Sequence, residues 1–469
     1  MAKRRHRRGK PLPTEPVQIV IDSLSHEGRG IGRIDGKTVF VDGALPQETI
    51  DMKYTFQRGK FDEGRTLIVQ NPNPNRVTPP CEYFGTCGGC GMQHLNTNAQ
   101  IEHKQNILTE QLKHFADTQP NEWLPPLQAD LLAYRRKARL GVRYVIKKER
   151  TLIGFREKYS NYLADIQSCK ILVKPVADLL KPLSNLIDSM DSRLFIPQIE
   201  VACGDWTENL LQTRDNSTGQ DALINGQNSV CLIIRHLQPI SEKDHTAWIN
   251  FAKEHEVIIY LQPKGPKTVH RIWPVENKEA QLSYKLEEYN LEMLMEPLDF
   301  TQVNASINQK MIPLALKLLD VKSEDNVLDL FCGLGNFTLP IARTAKYVVG
   351  VEGVQDMVER GILNAKHNKL KNVDFYQADL AAELTGQPWI NKKFDKILID
   401  PARSGALEVI HNIVKLNPEK IVYVSCNPAT LARDAGELVK SGYQLTKAGV
   451  MDMFPHTTHV ESIALFVRK

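Results

Sequence analysis

The chain has 469 residues, of which 42% are hydrophobic and 24% are charged, a composition typical of a soluble globular protein of about two to four domains. No apolar stretch approaches the roughly 18 residues that span a bilayer, and no apolar region follows the basic start as it would in a signal peptide. These features exclude membrane, secreted mini-protein and fibrous classes. We expect a cytoplasmic protein without a membrane partner.

The positive charge is concentrated at the start of the chain. Six of the first ten residues are basic and contribute +6, so the rest of the chain carries −2 of the net +4; they are Lys3, Arg4, Arg5, Arg7, Arg8 and Lys10. A basic arm on a near-neutral body is typical of a chain that binds a polyanion such as a nucleic acid. A disordered solubilising tail has the same composition.

The first predicted domain covers residues 12–70, after a basic arm of residues 1–11. Short alternating runs between Val17 and Val69 are separated by turns such as Asp35-Gly36, a spacing that predicts five strands. Five such strands favour a small closed β-barrel of the OB type, which either binds oligonucleotides or is purely structural. The Asn-Pro repeats of residues 71–75 predict a linker.

Residues 71–292 are predicted to form an α+β central domain. Basic residues alternate with apolar ones between Tyr134 and Tyr144, and a strand in this segment would expose most of its charges on one side. Basic residues interleaved with aromatics suit phosphates and unstacked bases. A solvated edge strand that its charges protect from aggregation fits the pattern equally well.

A cluster of cysteines opens the central domain. Cys81, Cys87 and Cys90 lie among glycines, and Cys169 follows far downstream. In a reducing compartment, clustered thiols indicate metal binding or chemistry more often than disulfides. A zinc ribbon usually has two C-x2-C pairs and here there is one, while glycine amides are able to donate to sulfides, which favours an iron–sulfur cluster over zinc. The isolated Cys203 and Cys231 are predicted to be core residues, so they are not candidate ligands.

The last domain, residues 293–469, alternates apolar runs with helical patterns. Strands buried on both faces and separated by helices predict a doubly wound, Rossmann-like parallel sheet, whose ligands lie beyond the carboxyl ends of its strands. The predicted strands are residues 326–331, 347–351, 373–376, 396–399, 421–425 and 462–467.

The first of these strands leads into the Gly-rich turn Cys332–Phe337. Glu352 ends the second strand as a candidate acceptor for ribose hydroxyls, and Asp379 follows the third, where an adenine would lie. Thr338 replaces the third glycine of the dinucleotide fingerprint, so a nucleoside without phosphates is favoured. S-adenosylmethionine fits that description, and a turn that serves only packing is the alternative.

A second group of candidates follows the fourth and fifth strands, where Asp400 and Cys426 reach the same sheet edge. A thiolate that adds to C6 of uracil activates C5 toward a methyl donor, and a base then removes the C5 proton. Cys426 fits the nucleophile, although free cysteines are also common as small buried residues. Glu461 is one candidate base, and its competitors are Asp452, His456 and His459.

Five ordered segments carrying these residues resemble the RumA/RlmD family of RNA uracil-C5 methyltransferases. They are residues 300–304, 329–337, 400–403, 424–428 and 453–462, and the likeness covers the whole chain except the basic arm. The resemblance implies a TRAM domain for the barrel, Cys426 as nucleophile and Glu461 as base. It implies a [4Fe–4S] cluster held by Cys81, Cys87, Cys90 and Cys169. The implied contacts to S-adenosylmethionine are Gln302, Phe331, Asn336, Glu352, Asp379 and Asp400.

The combination of a TRAM domain with four cysteines implies 23S rRNA as the partner, with U1939 as the target. The same chemistry at another 23S uridine, such as U747, or at the T-loop uridine of tRNA is the alternative. A radical enzyme and a non-catalytic RNA-binding factor are further readings. The first needs an open iron and usually a C-x3-C-x2-C motif, which is not the spacing found here. We expect a monomer.

Overall fold

A computed structural model describes residues 12–205, 229–275, 282–382 and 384–469. The predicted basic arm, residues 1–11, lies outside the described residues. The chain divides into two compact units: the segment up to His103 with His456–Thr458, and Lys104–Pro455 with His459–Lys469. Within the described segments, no helix combines the length and the hydropathy needed to cross a membrane.

The first unit contains a closed five-stranded barrel with strand order β1-β2-β3-β5-β4, as the sequence predicts. Its strands are β1 (Val17–Leu24), β2 (Gly30–Ile34), β3 (Lys37–Asp42), β4 (Thr49–Gln57) and β5 (Phe61–Asn71). Alternate residues point inward and form a small core that includes Ile21, Val39, Val41, Ile50 and Met52. Because the barrel is closed, every strand in it pairs with a neighbouring strand on each side.

The second unit contains a six-stranded sheet of order β12-β11-β10-β9-β7-β8, in which only β10 and β11 run parallel, and a separate hairpin of β13 and β14. The strands are β7 (Lys137–Val145), β8 (Arg150–Gly154), β9 (Gln198–Gly204), β10 (Ser229–Arg235), β11 (Val257–Gln262), β12 (His270–Trp273), β13 (Leu282–Leu286) and β14 (Leu291–Met295). The helices of this part are α1 (Thr97–Ala116), which contributes residues to both units, α2 (Lys174–Ala177), α3 (Leu180–Asp188) and α4 (Glu242–Glu254). Cys203 and Cys231 are buried, as predicted.

The basic strand of the central domain is shorter than the sequence suggests. It begins at Lys137, and Arg139 and Arg143 are exposed on it. Tyr134 precedes the strand and is buried, with its hydroxyl donating to the carbonyl of Pro455 at 3.1 Å. Tyr134 therefore packs in the interior and offers no exposed ring for a base.

An eight-stranded sheet forms the rest of the second unit, in the order β17-β16-β15-β18-β19-β21-β20-β6. The strands are β6 (Glu122–Trp123), β15 (Asn326–Leu330), β16 (Tyr347–Glu352), β17 (Val373–Gln377), β18 (Lys396–Ile399), β19 (Lys420–Ser425), β20 (Tyr443–Met451) and β21 (Glu461–Arg468). The helices are α5 (Ala305–Leu319), α6 (Thr338–Ala342), α7 (Gln355–His367), α8 (Leu407–Ile413) and α9 (Pro428–Lys440).

The predicted all-parallel sheet is wrong at one edge. Strands β15 to β19 are parallel, but β21 runs antiparallel to both β19 and β20. Strand β20 is absent from the prediction because Gln444, Thr446 and Lys447 dilute its apolar pattern and a bulge breaks its alternation. The antiparallel insertion brings the start of β21 beside the end of β19.

Candidate active site

The carboxyl ends of the parallel strands border a cleft of about 1200 Å³ that lies wholly within the second unit. The register pairs Leu330 at the end of β15 with Val351 and Ile399, so the residues that follow these strands meet at one edge. Most of the residues predicted from the sequence line the cleft: Gln302, Phe331, Asn336, Glu352, Asp400, Cys426 and Glu461.

The turn after β15 brings backbone amides to the floor of the cleft. Phe331 and Gly333 adopt positive φ angles of 63° and 56°, and a Cβ on Gly335 would lie 2.4 Å from Leu339 Cδ1. Only glycine fits at that close approach. The turn directs the Gly333 amide toward Glu352 Oε2 at 3.1 Å, while the Val354 amide donates to Oε1 at 3.0 Å. Both oxygens of Glu352 are thus held in place.

Asn336 is held by two residues that the sequence analysis does not identify. Its Oδ1 accepts from the Tyr284 hydroxyl at 2.8 Å and from Asn308 Nδ2 at 3.1 Å, and its Nδ2 donates to Asn308 Oδ1 at 2.9 Å. Burial raises the pKa of Tyr284, so the hydroxyl stays protonated and remains a donor. Tyr284 lies in a hairpin outside the eight-stranded sheet, and no sequence motif marks it.

Asp379 lies apart from the other predicted residues. It follows β17, is exposed, and is absent from the lining of the cleft among the residues described. Its Oδ1 accepts the Ala381 amide at 3.0 Å, which makes it a local turn-forming residue in this conformation.

Cys426 leaves β19 in a turn fixed on both sides. The Ser425 hydroxyl donates to the carbonyl of Asn427 at 3.0 Å and accepts the amide of Asn427 at 3.1 Å. The Asn427 side chain caps α9 by accepting the Ala429 amide, and its Nδ2 donates to the Arg403 carbonyl at 3.0 Å. The thiol is therefore placed by a hydrogen-bonded turn rather than by a loose loop.

Glu461 faces Cys426 because of the strand register. Ser425 of β19 pairs with Ser462 of β21 in antiparallel fashion, so the next residue on each strand, Cys426 and Glu461, is opposite the other. Directly opposed residues have Cβ atoms about 4.5–5.5 Å apart. Glu461 is buried, and it begins its strand at the cleft.

Burial raises the pKa values of Cys426, Glu461 and Asp400, and neighbouring carboxylates add to the effect on the first two. Burial, followed by the charges of Glu461 and Asp400, raises the pKa of Cys426 to about 11. Burial and the Asp400 charge raise the pKa of Glu461 to about 8, and burial raises the pKa of Asp400 to about 7. At neutral pH the thiol and most of the Glu461 carboxyl are protonated, while Asp400 lies near its midpoint. The cluster can therefore accept and release protons close to the sulfur.

Arg403 and His459 complete this side of the cleft. Arg403 Nη2 lies 3.4 Å from His459 Nδ1, and the Phe454 and His459 rings are 5.2 Å apart. Burial and then the Arg403 charge lower the pKa of His459, so its imidazole is neutral at neutral pH. The segment Asp400–Arg403 belongs to a recognisable motif, but the pairing of Arg403 with a histidine 56 residues later depends on the fold.

Two of the competing candidates for the base are engaged elsewhere. Asp452 accepts from Lys104 Nζ at 2.7 Å and is not a lining residue of the cleft. His456 Nδ1 lies 3.3 Å from Gln100 Nε2 within the first unit. Among the four candidates, Glu461 and His459 line the cleft.

The cysteine cluster forms a compact loop in the first unit. The Phe84 amide donates to the Cys81 carbonyl, the Cys87 amide donates to the Tyr83 carbonyl, and the Gly89 amide points to Cys87 Sγ at 3.5 Å. Amide donation to a cysteine sulfur suits a thiolate ligand of an iron–sulfur cluster. Over the described residues, no three His, Cys, Asp or Glu side chains are grouped as a metal site.

The chain matches two family models: tRNA (Uracil-5-)-methyltransferase over residues 275–469 and TRAM domain over residues 15–56. Proteins named 23S rRNA (uracil(1939)-C(5))-methyltransferase RlmD are similar over 98% of this chain. The one from Alcanivorax borkumensis is 51% identical over 98% of its length, and that from Nitrosococcus oceani is 50% identical over 98%. The one from Hahella chejuensis is 48% identical over 99%.

One solved structure shares the fold, that of a Pyrococcus abyssi tRNA (uracil-54, C5)-methyltransferase in complex with S-adenosyl-L-homocysteine. Its TM-score is 0.69 at 22% identity, covering 96% of this chain and all of that one.

Sheet order, cleft and matched models define an S-adenosylmethionine-dependent methyltransferase of the RNA uracil-C5 class. Within that class, the identities near 50% over nearly the full length are decisive. The chain belongs to the family of the 23S rRNA (uracil(1939)-C(5))-methyltransferases RlmD.

Proposed function

We propose that this chain transfers the methyl group of S-adenosylmethionine to C5 of U1939 in 23S rRNA, through a covalent bond between Cys426 and C6 of the uracil. The observation that carries the proposal is the opposition of Cys426 and Glu461 across β19 and β21, at the cleft that also holds Glu352 and Asn336.

The chemistry follows from the electron-poor character of C5. The Cys426 thiol gives its proton to the Asp400 carboxylate, which leaves Glu461 free, and the sulfur adds to C6, which moves electron density to C5 and O4. The donor, when bound, would supply the methyl group to C5 and leave as S-adenosylhomocysteine. Glu461 then takes the C5 proton, the C5–C6 double bond re-forms, and the carbon–sulfur bond breaks to return the thiolate. The raised pKa of Glu461 makes its carboxylate a stronger base than an exposed one.

The donor side of the cleft is assigned to Gln302, Phe331, Asn336, Glu352, Asp379 and Asp400. Glu352 is the acceptor for ribose hydroxyls, because its position at the carboxyl end of β16 is the usual one and its oxygens are already oriented by two amides. Asp379 contacts the adenine only if its exposed turn approaches the cleft, so its assignment rests on sequence position.

The domain limits proposed are the arm 1–11, the barrel 12–70, the central domain 71–292 and the catalytic domain 293–469. Barrel, arm and central domain hold the folded RNA, and the target base is splayed into the cleft. An rRNA substrate places the protein in the cytoplasm. It acts as a monomer, which light scattering tests.

A [4Fe–4S] cluster held by Cys81, Cys87, Cys90 and Cys169 is part of the proposal. The thiol-rich loop and the Gly89 amide at Cys87 Sγ support it, and the fourth ligand rests on the family resemblance. The role assigned is structural, ordering loops that touch RNA. Anaerobically purified protein should contain iron and sulfide, and Cys87→Ser should lose both while Cys203→Ala keeps them. Equal iron in both variants contradicts the assignment.

The target is tested with the purified chain, S-adenosylmethionine and RNA from a strain that lacks the modification. We expect one 5-methyluridine at U1939 of 23S rRNA and none in tRNA. Methylation at U747 or in the T-loop would keep the chemistry and reject the target. RNA binding without methyl transfer would favour a non-catalytic factor.

A further inference from the structure

A buried ion pair lies behind the acceptor side of the cleft. Lys104 of α1 and Asp452, just after β20, have side chains that are 1% and 4% exposed, and Lys104 Nζ donates to Asp452 Oδ1 at 2.7 Å. The ammonium also donates to the Phe454 carbonyl at 3.1 Å. A fully desolvated pair of this kind is weak evidence for stability, since replacing it by an apolar pair of similar volume is often neutral or stabilising.

The pair is connected to the reacting groups through one short segment. Met451 pairs with Glu461 in the β20–β21 register, and Asp452 directly follows Met451 at the end of β20. The Asp452 amide donates to the Leu127 carbonyl at 2.8 Å, so the segment is held at its backbone as well. Phe454, whose carbonyl Lys104 binds, lines the cleft and packs against the His459 ring.

Lys104 also acts on Glu461 by its charge. The charged groups around Glu461 are Asp400, which raises its pKa, and Arg403 and Lys104, which lower it; Cys426 and the neutral His459 are the other titratable neighbours. Arg403 is exposed, so solvent screens it, whereas Lys104 is buried and its field is weakly screened.

We propose that Lys104 is a positioning residue for the methyl-transfer reaction, whose buried ammonium fixes the segment carrying Phe454 and favours the ionised form of Glu461 beside Asp400. The inference rests on the proposed function, in which Glu461 takes the C5 proton. It assigns the α1 helix a direct part in setting the strength of that base.

Two variants separate charge from architecture. Lys104→Met with Asp452→Asn removes both charges and leaves no unpaired buried ion, while Asp452→Asn alone keeps the ammonium. Both variants lose the ion pair, so a merely structural role affects them alike. In the double variant, loss of the Lys104 charge makes Glu461 harder to ionise. In Asp452→Asn the Lys104 charge remains and the Asp452 charge is gone, so Glu461 ionises as easily as in the parent or more easily.

The measurement is the release of tritium from C5 of a [5-³H]uridine substrate under single-turnover conditions, as a function of pH. In the double variant the acid limb should move a few tenths of a unit to higher pH, so that release below the limb is about twofold slower. In Asp452→Asn the limb should stay or move to lower pH. If the acid limb of the double variant does not move, or if the acid limbs of both variants move to higher pH, the proposal is overturned.

A parallel reaction with 5-fluorouridine RNA separates this inference from the proposed function. That substrate has no C5 proton to lose, so the double variant should form the covalent adduct at the parent rate. If the parent protein forms the adduct but the acid limb of the double variant does not move, only the proposed role of Lys104 is refuted. No adduct even in the parent protein refutes the covalent mechanism itself.

Discussion

The two sides of the cleft are organised by opposite means. On the donor side, Glu352 and Asn336 have their polar atoms satisfied by amides, an amide side chain and a hydroxyl. On the acceptor side, Cys426 and Glu461 are placed by strand register and have raised pKa values because burial and like charge oppose their ionisation. In the proposed function, hydrogen bonding preforms the donor-binding site, and the raised pKa values near the sulfur provide proton transfer. Substitutions on the two sides should therefore affect different kinetic constants.

The largest effect is expected for Cys426→Ala, which removes the only proposed nucleophile. Turnover should fall at least about 10⁴-fold, because C5 of uracil is not activated without the addition at C6. RNA affinity in a filter-binding assay should remain within about twofold. Cys203→Ala, at a buried cysteine outside the cleft, is the matched control and should stay active. Turnover by the Cys426 variant would refute the mechanism.

Glu461→Gln comes next and should stop the reaction after methyl transfer. Loss of the base should slow product release about 10³-fold while the methylated RNA stays attached to Cys426. A denaturing gel with methyl-labelled donor should show the protein–RNA adduct with unmodified uridine RNA. If the variant instead accumulates no adduct and no product, Glu461 acts before methyl transfer.

Asp329→Asn tests this comparison at another residue. Asp329 lies in β15, the strand that leads into the donor-side turn, but its pKa is raised, as are those of Cys426 and Glu461. Burial raises its pKa to about 8, although Oδ2 accepts from the Thr338 hydroxyl at 2.5 Å. Its folded pKa exceeds the unfolded one, so its contribution to stability is present below the unfolded pKa and is lost as pH rises through about 8. Between about pH 5 and pH 8 the parent should lose roughly 2–4 kcal/mol more than the variant in urea unfolding. Equal losses would mean that Asp329 is ionised when folded.

Glu352→Ala should weaken the donor without touching the chemistry. We expect the KM for S-adenosylmethionine to rise about tenfold and kcat to change little, because the interaction with ribose is the same in ground and transition states. Glu408→Ala, at an exposed position of α8, is the control. A fall in kcat at unchanged KM would place Glu352 in the reaction rather than in binding.

The smallest effect is expected for Tyr284→Phe, which removes one of the hydrogen bonds that orient Asn336. The KM for the donor should rise about threefold, consistent with the loss of a single neutral hydrogen bond, and the pH profile should not move. Isothermal titration with S-adenosylhomocysteine measures the same change directly. An unchanged affinity would show that Asn308 alone orients Asn336.

Much of the fold and of the site could be predicted from the sequence, for reasons that are local. The barrel strands carry turn residues at short intervals, and Glu352, Asp400 and Cys426 directly follow buried apolar strands, which marks the carboxyl edge of a sheet. Strand β20 was missed because Gln444, Thr446 and Lys447 interrupt its apolar pattern, although its other residues are buried. Tyr284, Asn308 and Lys104 were missed because they contact Asn336 or Asp452 from elements distant in sequence, and nothing in their local pattern differs from an ordinary core or helix residue.

The antiparallel placement of β21 has a consequence for divergence within this fold. A sulfur and a carboxylate on neighbouring strands keep a separation fixed by the pleat, whatever the length of the connections elsewhere. Insertions in loops elsewhere in the chain therefore leave the spacing of Cys426 and Glu461 unchanged. A single-residue slip between those two strands, by contrast, would turn the carboxylate to the opposite face and separate the pair.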